Sequence, residues 1–286
     1  MLCCNGQDAF PEWAAAGMNT GFIGIGSMGG MLVRALLRAG VLAPEEVWAA
    51  NRSPAKLAAL AADFPGIHTS DAPQIASRCK LIFLCVGTGD VPVVLAQMEG
   101  ELGAGHLLVT TAGLIPLVAL EDRVPCRVAK LIPSITQEIG AGIALLMYGS
   151  RATSADRNLL ENLLGRISQP VTIPESLARP AIGLASGGPA LLAYLLQTMA
   201  EEAVRSNPAL SPELARTLVL ETAGATWKLA REGSMPLEEI IRRVALPGGM
   251  TALAIEILSQ HVPQAWQRIF QETAEREKKA RESLAL

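Results

Sequence analysis

The sequence predicts a doubly wound, mostly parallel α/β sheet followed by an all-helical C-terminal domain. Three observations carry this. Short, continuously apolar, β-rich runs alternate with helical segments from Asn19 to about Arg179, and runs without polar alternation belong to strands covered on both faces. A glycine-rich sequence, Gly24 to Gly29, closes the first run and opens a helix. After Pro180 the strands stop and only helical patterns remain.

The elements follow in order. GFIGI (21–25) leads into the helical MLVRALLRAG (31–40), and EVWAA (46–50) into PAKLAALAADF (54–64). CKLIFLCV (79–86), HLLVTT (106–111), RVAKLI (127–132) and IALLMY (143–148) continue the sheet, which PVTI (170–173) closes. The helices PALLAYLLQTMAEEAVRS (189–206), PELARTLVLETAGATWKLARE (212–232) and PLEEIIRRVA (236–245) come next. GGMTALAIEILSQ and a charged helix from Pro263 to the end complete the chain. Pro189, Pro212, Pro236 and Pro263 each stand at a first helical turn, where the missing N–H costs nothing. The reading gives a leader at 1–17, a nucleotide-binding domain at 18–179 and a helical domain at 180–286. The apolar first half of helix 189–206 needs a cover, which predicts a homodimer through the C-terminal helices or a larger assembly.

With 286 residues, half of them hydrophobic and 18% charged, the chain has enough apolar material for two modest domains and too much for disorder. The net charge of −3, with basic residues gathered only in EREKKARE near the C-terminus, excludes a nucleic-acid partner. Cysteines at 3, 4, 79, 85 and 126 form no C-x-x-C pair, the pattern of reduced core thiols in a cytoplasmic protein. His68, His106 and His261 are too dispersed for a metal site. No apolar run is taken to approach the ~20 residues of a membrane span. The leader lacks the basic start and long apolar core of a signal peptide.

Gly24-x-Gly26-x-x-Gly29, between a predicted strand and a predicted helix, is the Rossmann dinucleotide fingerprint in its proper context. Gly24 permits the turn, Gly26 lets backbone approach a pyrophosphate, and Gly29 allows strand and helix to pack closely. Ser27 and Met28 complete the phosphate-facing turn. The alternative is a glycine-rich turn with packing duties only. The second strand ends in Asn51-Arg52-Ser53, with Lys56 one turn on, where an NAD site carries an acid. A guanidinium and a hydroxyl suit the 2′-phosphate of NADP(H), which a carboxylate would repel; the alternative is a surface arginine at a helix start. Val86 and Gly87 after strand 79–86, and Ala112 and Gly113 after strand 106–111, lie where open α/β sheets bind ligands. Ser134 and Thr136, after strand 127–132, are candidates to face the nicotinamide, or turn formers. Gly248-Gly249-Met250-Thr251 opens a helix and offers N–H groups and a hydroxyl to a small carboxylate, or serves as a helix–helix turn capped by Thr251.

Taken together and in this order, GFIGIGSMGG, ANRS (50–53), TAGL (111–114), GGPA (187–190) and PGGMT (247–251) resemble the pyrroline-5-carboxylate reductase family. The resemblance runs from Met18 to about Arg276. VPCRVAKLIPSIT (124–136) and YGSRATSADR (148–157) match its late-competence ComER branch. It implies NADPH-linked reduction of a cyclic imino acid to proline or an analogue, and a dimer of intertwined C-terminal helices. It places the catalytic and substrate-contacting threonine on Thr251, with Gly248, Gly249 and Ser134 at the substrate. The chain departs from the family at Gly87-Thr88 (Lys-Pro), Ser134 (Asn), Thr136 (Pro), Gly187 (Ser) and Ala245-Leu246 (Thr-Ser). Those departures leave room for a catalytically weak NADP-binding regulatory protein. A β-hydroxyacid dehydrogenase shares the opening motif, but it implies a lysine on helix 189–206, which has none.

Overall fold

A computed structural model describes residues 17–283. The leader expected at 1–17, with Cys3 and Cys4, therefore falls almost wholly outside the described residues. Eight strands form one sheet in the order β3-β2-β1-β4-β5-β6-β7-β8. They are β1 (Thr20–Ile23), β2 (Val47–Ala50), β3 (His68–Thr69), β4 (Leu81–Leu84), β5 (Leu107–Thr110), β6 (Arg127–Ile132), β7 (Ile143–Tyr148) and β8 (Gln169–Thr172). Every neighbouring pair is parallel except β6 and β7. The mostly parallel, doubly wound sheet is the predicted one. Its strand order reverses between β1 and β4, the kind of switch point at which such sheets open a ligand crevice. The sequence reading has no counterpart for the two-residue β3.

Seven helices accompany the sheet: α1 (Ser27–Arg38), α2 (Pro54–Asp63), α3 (Ala72–Arg78), α4 (Val91–Gln97), α5 (Leu117–Glu121), α6 (Ser154–Gly165) and α7 (Ala178–Ala185). Strand alternation divides the apolar side chains into two cores. Phe22, Phe83, Leu107 and Val109 point to one face and pack with Leu32 and Leu36 of α1, Leu60 of α2 and Leu160 and Leu163 of α6. Ile23, Ile82, Leu84 and Leu108 point to the other, against Ile75 of α3, Leu95 of α4 and Leu117 of α5. Both faces are buried, which is why these strands read as unbroken apolar runs.

The chain divides into two compact units, one reaching Gly187 and resuming at Glu277, the other Gly188–Arg276. The second contains α8 (Gly188–Ser206), α9 (Pro212–Arg231), α10 (Leu237–Val244) and most of α11 (Met250–Ser283). α11 corrects the expectation of a helix starting at Pro263: it runs unbroken for 34 residues with Pro263 inside. Proline there has no N–H to give the carbonyl of Ser259, and one lost bond is a small fraction of so long a helix.

Within this second unit only Gly188 and Ala215 are buried. Leu192, Tyr194, Met199, Trp227, Ile241 and Leu253 are between 46% and 67% exposed. The helical stretch Glu175–Ser206, 32 residues, is also long and apolar enough to cross a membrane by length and composition. That corrects the reading that no run approaches a span. Gly183, Ser186, Gly187 and Gly188 interrupt the apolar residues, which hides the run when it is read as strand-sized or helix-sized pieces.

The stacked pair Phe22–Phe83, with ring centroids 5.0 Å apart, ties β1 to β4 at the switch point. Phe83→Ala should lower the unfolding free energy by about 3–5 kcal/mol, the usual cost of emptying a buried aromatic site. Urea denaturation of the full chain measures it, and a loss below about 1 kcal/mol would show that the site collapses around the gap.

Candidate functional site

The turn between β1 and α1 is built on its glycines. Gly24 has φ +98°, and a Cβ there would lie 2.7 Å from the carbonyl oxygen of Cys85. A Cβ on Gly29 would lie 2.0 Å from the Gly24 carbonyl oxygen, so α1 sits as close to β1 as backbone allows. Gly26 differs: a Cβ on it would meet nothing within 4 Å. Gly24 and Gly29 are thus required by packing, whereas the space at Gly26 is open. Gly26 is also the N-cap of α1, with no side chain capping it and no acid in the first turn. A helix start left in this state offers N–H groups and a positive dipole end to an anion.

Asn51 holds this turn in place. Its Oδ1 accepts the Ile25 N–H at 2.9 Å and its Nδ2 donates to the Ser53 carbonyl at 3.2 Å. The amide therefore braces the glycine turn against the end of β2. A second tie, Gly24 N–H to the Ala50 carbonyl at 2.8 Å, runs alongside.

A pocket of about 550 Å³ opens at the carboxyl ends of β1, β2 and β4. Of the residues expected at the cofactor, Gly24, Gly26, Asn51, Arg52, Ser53, Val86 and Gly87 line it. Ser27, Met28 and Gly29 follow directly in α1, and Ala112 and Gly113 stand at the end of β5, outside this lining. Arg52 is almost fully exposed, and its guanidinium is 3.9 Å from the Asp90 carboxylate. Ser53 occupies the N-cap of α2 without using its hydroxyl to cap it. Lys56, Ser70, Asp71, Cys85 and Asp90 are among the other polar residues of the lining. Of these, the sequence reading missed Ser70, Asp71, Cys85 and Asp90; each follows β3 or β4, at the sheet edge where ligands bind. Burial pushes the Cys85 thiol up to about 12, a hydrogen bond with Thr111 opposing it, so Cys85 is neutral and not a nucleophile.

Of the residues expected at the substrate, Ser134 lies in the first unit, outside this lining. Ser134 is 1% exposed, and its hydroxyl accepts a hydrogen bond from Thr136 at 3.0 Å. Its N–H donates to Gln137 Oε1 at 3.1 Å, in a capping box over the 3₁₀ turn Ile135–Ile139. Ser134 thus takes part in its own turn through its N–H and as an acceptor for Thr136. Gly248, Gly249 and Thr251 lie in the second unit, all exposed, at the start of α11. Gly248 takes φ +76°, which glycine tolerates. The Gly249 N–H donates to the Leu246 carbonyl at 2.9 Å, so Gly249 shapes the turn and is not itself a free donor.

Comparison with known proteins adds to this geometry. Residues 19–113 match the family described as NADP oxidoreductase coenzyme F420-dependent, and residues 175–280 match pyrroline-5-carboxylate reductase dimerisation. The ComE operon protein 4 of Bacillus subtilis is 29% identical over 257 residues, covering 90% of this chain and 94% of that protein. Pyrroline-5-carboxylate reductase 3 of the same organism is 29% identical over 254 residues, covering 88% and 93%. Among solved structures, a pyrroline-5-carboxylate reductase from Coxiella burnetii has a TM-score of 0.82 at 23% identity, covering 92% of this chain and 98% of that one. The Plasmodium falciparum pyrroline carboxylate reductase, solved with NADP bound, has a TM-score of 0.80 at 19% identity over 94% and 98%. At these identities the structures establish the fold.

Two glycine variants separate packing from ligand space. Gly26→Ala should keep the wild-type melting temperature and weaken dinucleotide binding by about tenfold or more. Gly29→Ala should lower the melting temperature itself, because its Cβ collides with backbone. Differential scanning fluorimetry with and without dinucleotide reads both; equal melting behaviour would refute the distinction.

Proposed function

We propose that the chain, whose residues 19–113 match an NADP oxidoreductase family and whose residues 175–280 match pyrroline-5-carboxylate reductase dimerisation, is a member of the pyrroline-5-carboxylate reductase family and an NADPH-dependent reductase of a cyclic imino acid. The product is proline or an analogue. The observation that carries the reading is the pairing of an uncapped, unfilled glycine turn at Gly26 with Arg52, Ser53 and Lys56 in one pocket. The first feature fits a pyrophosphate. The second fits a 2′-phosphate, with no acid at the end of β2 to select NAD.

In this reading Gly26, Ser27 and Met28 hold the pyrophosphate through backbone, Gly24 and Gly29 let α1 start close against β1, and Asn51 keeps that backbone in register. Arg52 and Ser53 take the 2′-phosphate, Lys56 adds charge, and Val86, Gly87, Ala112 and Gly113 border the remainder of the dinucleotide. NADPH supplies the hydride. The imine carbon is already electrophilic once its nitrogen is protonated, so the chain's task is to bind and orient rather than to supply a strong acid–base pair. The Pro247–Thr251 turn takes the substrate carboxylate at the start of α11, and the Thr251 hydroxyl stands by the ring nitrogen. The exposed apolar faces of α8 to α11 are the homodimer interface, with larger assemblies built upon it. Cys79, Cys85 and Cys126 are unpaired, which suits a cytoplasmic setting.

A second reading rests on the substituted family positions. Gly87-Thr88 removes a cation from the cofactor crevice, and Ala245-Leu246 changes the approach to the Pro247–Thr251 turn. Together with the match to ComE operon protein 4, these favour an NADP-binding regulator with little turnover.

Absorbance at 340 nm with pyrroline-5-carboxylate, beside an NADPH titration, tells the two apart. Steady consumption of NADPH establishes the reductase; tight binding without consumption favours the regulator, or a different imine as the substrate. For the reductase, Thr251→Ala should lower kcat by about 10²-fold or more and spare NADPH affinity; parallel loss of both would assign Thr251 to folding. Arg52→Asp should weaken NADPH by about tenfold or more and shift preference toward NADH. Unchanged NADPH affinity in a fluorescence titration would remove Arg52 from the 2′-phosphate.

A further inference from the structure

Lys130 lies in the middle of β6 with no solvent exposure, in a strand whose other residues are apolar apart from its first, Arg127. It sits on the sheet face of Val128 and Ile132, and it pairs in register with Thr110 of β5. Its ammonium makes an ion pair with Glu175 and donates to the Gly113 carbonyl at 3.2 Å. The same Glu175 carboxylate accepts the Leu117 N–H through both oxygens, at 3.1 and 3.2 Å. One ion pair therefore holds both ends of the segment Gly113–Leu117.

That segment starts two residues after Thr111, which adjoins the pocket wall. The Thr111 N–H donates to the Leu84 carbonyl at 3.0 Å, and the Thr111 side chain hydrogen-bonds Cys85, which lines the pocket. Burial drives the pKa of Lys130 below the usual lysine range, against the pull of Glu175. Burying the Lys130 ammonium beside a Glu175 carboxylate that keeps part of its solvent contact carries a desolvation cost, and an apolar pair of similar volume would serve stability as well or better. The polar pair is thus better explained by what it orients than by the stability it adds.

We propose that Lys130 and Glu175 are a positioning pair for the cofactor: they fix Gly113–Leu117 so that Ala112 and Gly113 border the nicotinamide half of the dinucleotide. Neither side chain touches the cofactor. The inference rests on the NADPH reading above and assigns to that site two residues outside its lining. Lys130 reaches the segment directly through Gly113, and Glu175 reaches it through Leu117.

The test uses the full chain carrying Lys130→Met or Glu175→Gln, with melting temperature, NADPH titration and steady-state kinetics on each. The Kd and KM for NADPH should rise about tenfold in Lys130→Met and about threefold or more in Glu175→Gln. At saturating NADPH, kcat should stay within about twofold of wild type. A merely structural role would instead lower kcat through loss of active protein and leave the NADPH KM where it was. Glu175→Gln keeps an acceptor for Leu117 at a partly exposed position, so it decides the matter if Lys130→Met fails to fold. Folded variants with wild-type NADPH affinity would overturn the positioning pair alone. A wild-type chain that binds no NADPH would overturn the cofactor reading and this inference with it.

Discussion

Everything at the sheet edge depends on how closely α1 approaches β1 and β4. The Cβ positions forbidden at Gly24 and Gly29 lie against backbone oxygen atoms, and no rotamer change relieves such a clash. That contact sets the direction of α1, and with it the direction of the first-turn N–H groups. Asn51 then fixes the height of the turn, because its amide serves two backbone groups on different sides of the crevice. The phosphate-facing surface is therefore backbone, held by other backbone and by one amide. Substitutions elsewhere in the pocket leave it standing. Gly87, Ser134 and Gly187 make none of the contacts that shape this turn, which rest on Gly24, Gly29 and Asn51.

The second unit obeys the opposite constraint. Its helices carry apolar side chains on faces that nothing in the unit covers, and Gly188 and Ala215 alone are buried there. A core of that size cannot offset the conformational entropy of nearly ninety ordered residues, at about 1–2 kcal/mol each. The helices must be ordered by burial against something else. The match of residues 175–280 to pyrroline-5-carboxylate reductase dimerisation points to further copies of this chain as that cover. The length of α11 follows the same logic, since a long helix offers an extended surface and bears the loss of one bond at Pro263.

The sheet was legible because burial on both faces leaves a simple record. RVAKLI and IALLMY gave β6 and β7 to the residue. β3 left none, because two exposed residues after Pro65-Gly66 carry no pattern and pair only through Trp48 and Ala49. The glycine turn and the Asn51-Arg52-Ser53 run were readable from spacing and residue type. What spacing did not reveal was direction: Asn51 turns inward to brace the loop, and Ser134 turns inward to Gln137 and Thr136. Lys130 did leave a signal, a single charge within an otherwise apolar stretch of a predicted strand. A lysine there must be paired, but the sequence alone does not name Glu175, 45 residues on.

Charge in the pocket points to how a dinucleotide is held. Arg52 and Lys56 are matched by Asp71 and Asp90, so the lining carries no excess of positive charge, and the chain as a whole is slightly acidic. Long-range attraction of an anionic cofactor is weak under these conditions and weaker still at physiological salt. Asp71 is partly occupied, since it accepts the Gln74 N–H as the cap of α3. Asp90 is free enough to reach Arg52. In the proposed reading, a 2′-phosphate would take the Arg52 guanidinium from a carboxylate already beside it. The exchange favours the phosphate because a dianion with three oxygens accepts more bonds from Arg52 and Ser53 than an exposed carboxylate 3.9 Å away. Under the proposed function, affinity would come from directed hydrogen bonds at the two phosphate positions, and selectivity for the phosphorylated dinucleotide would rest on the balance between Arg52 and Asp90.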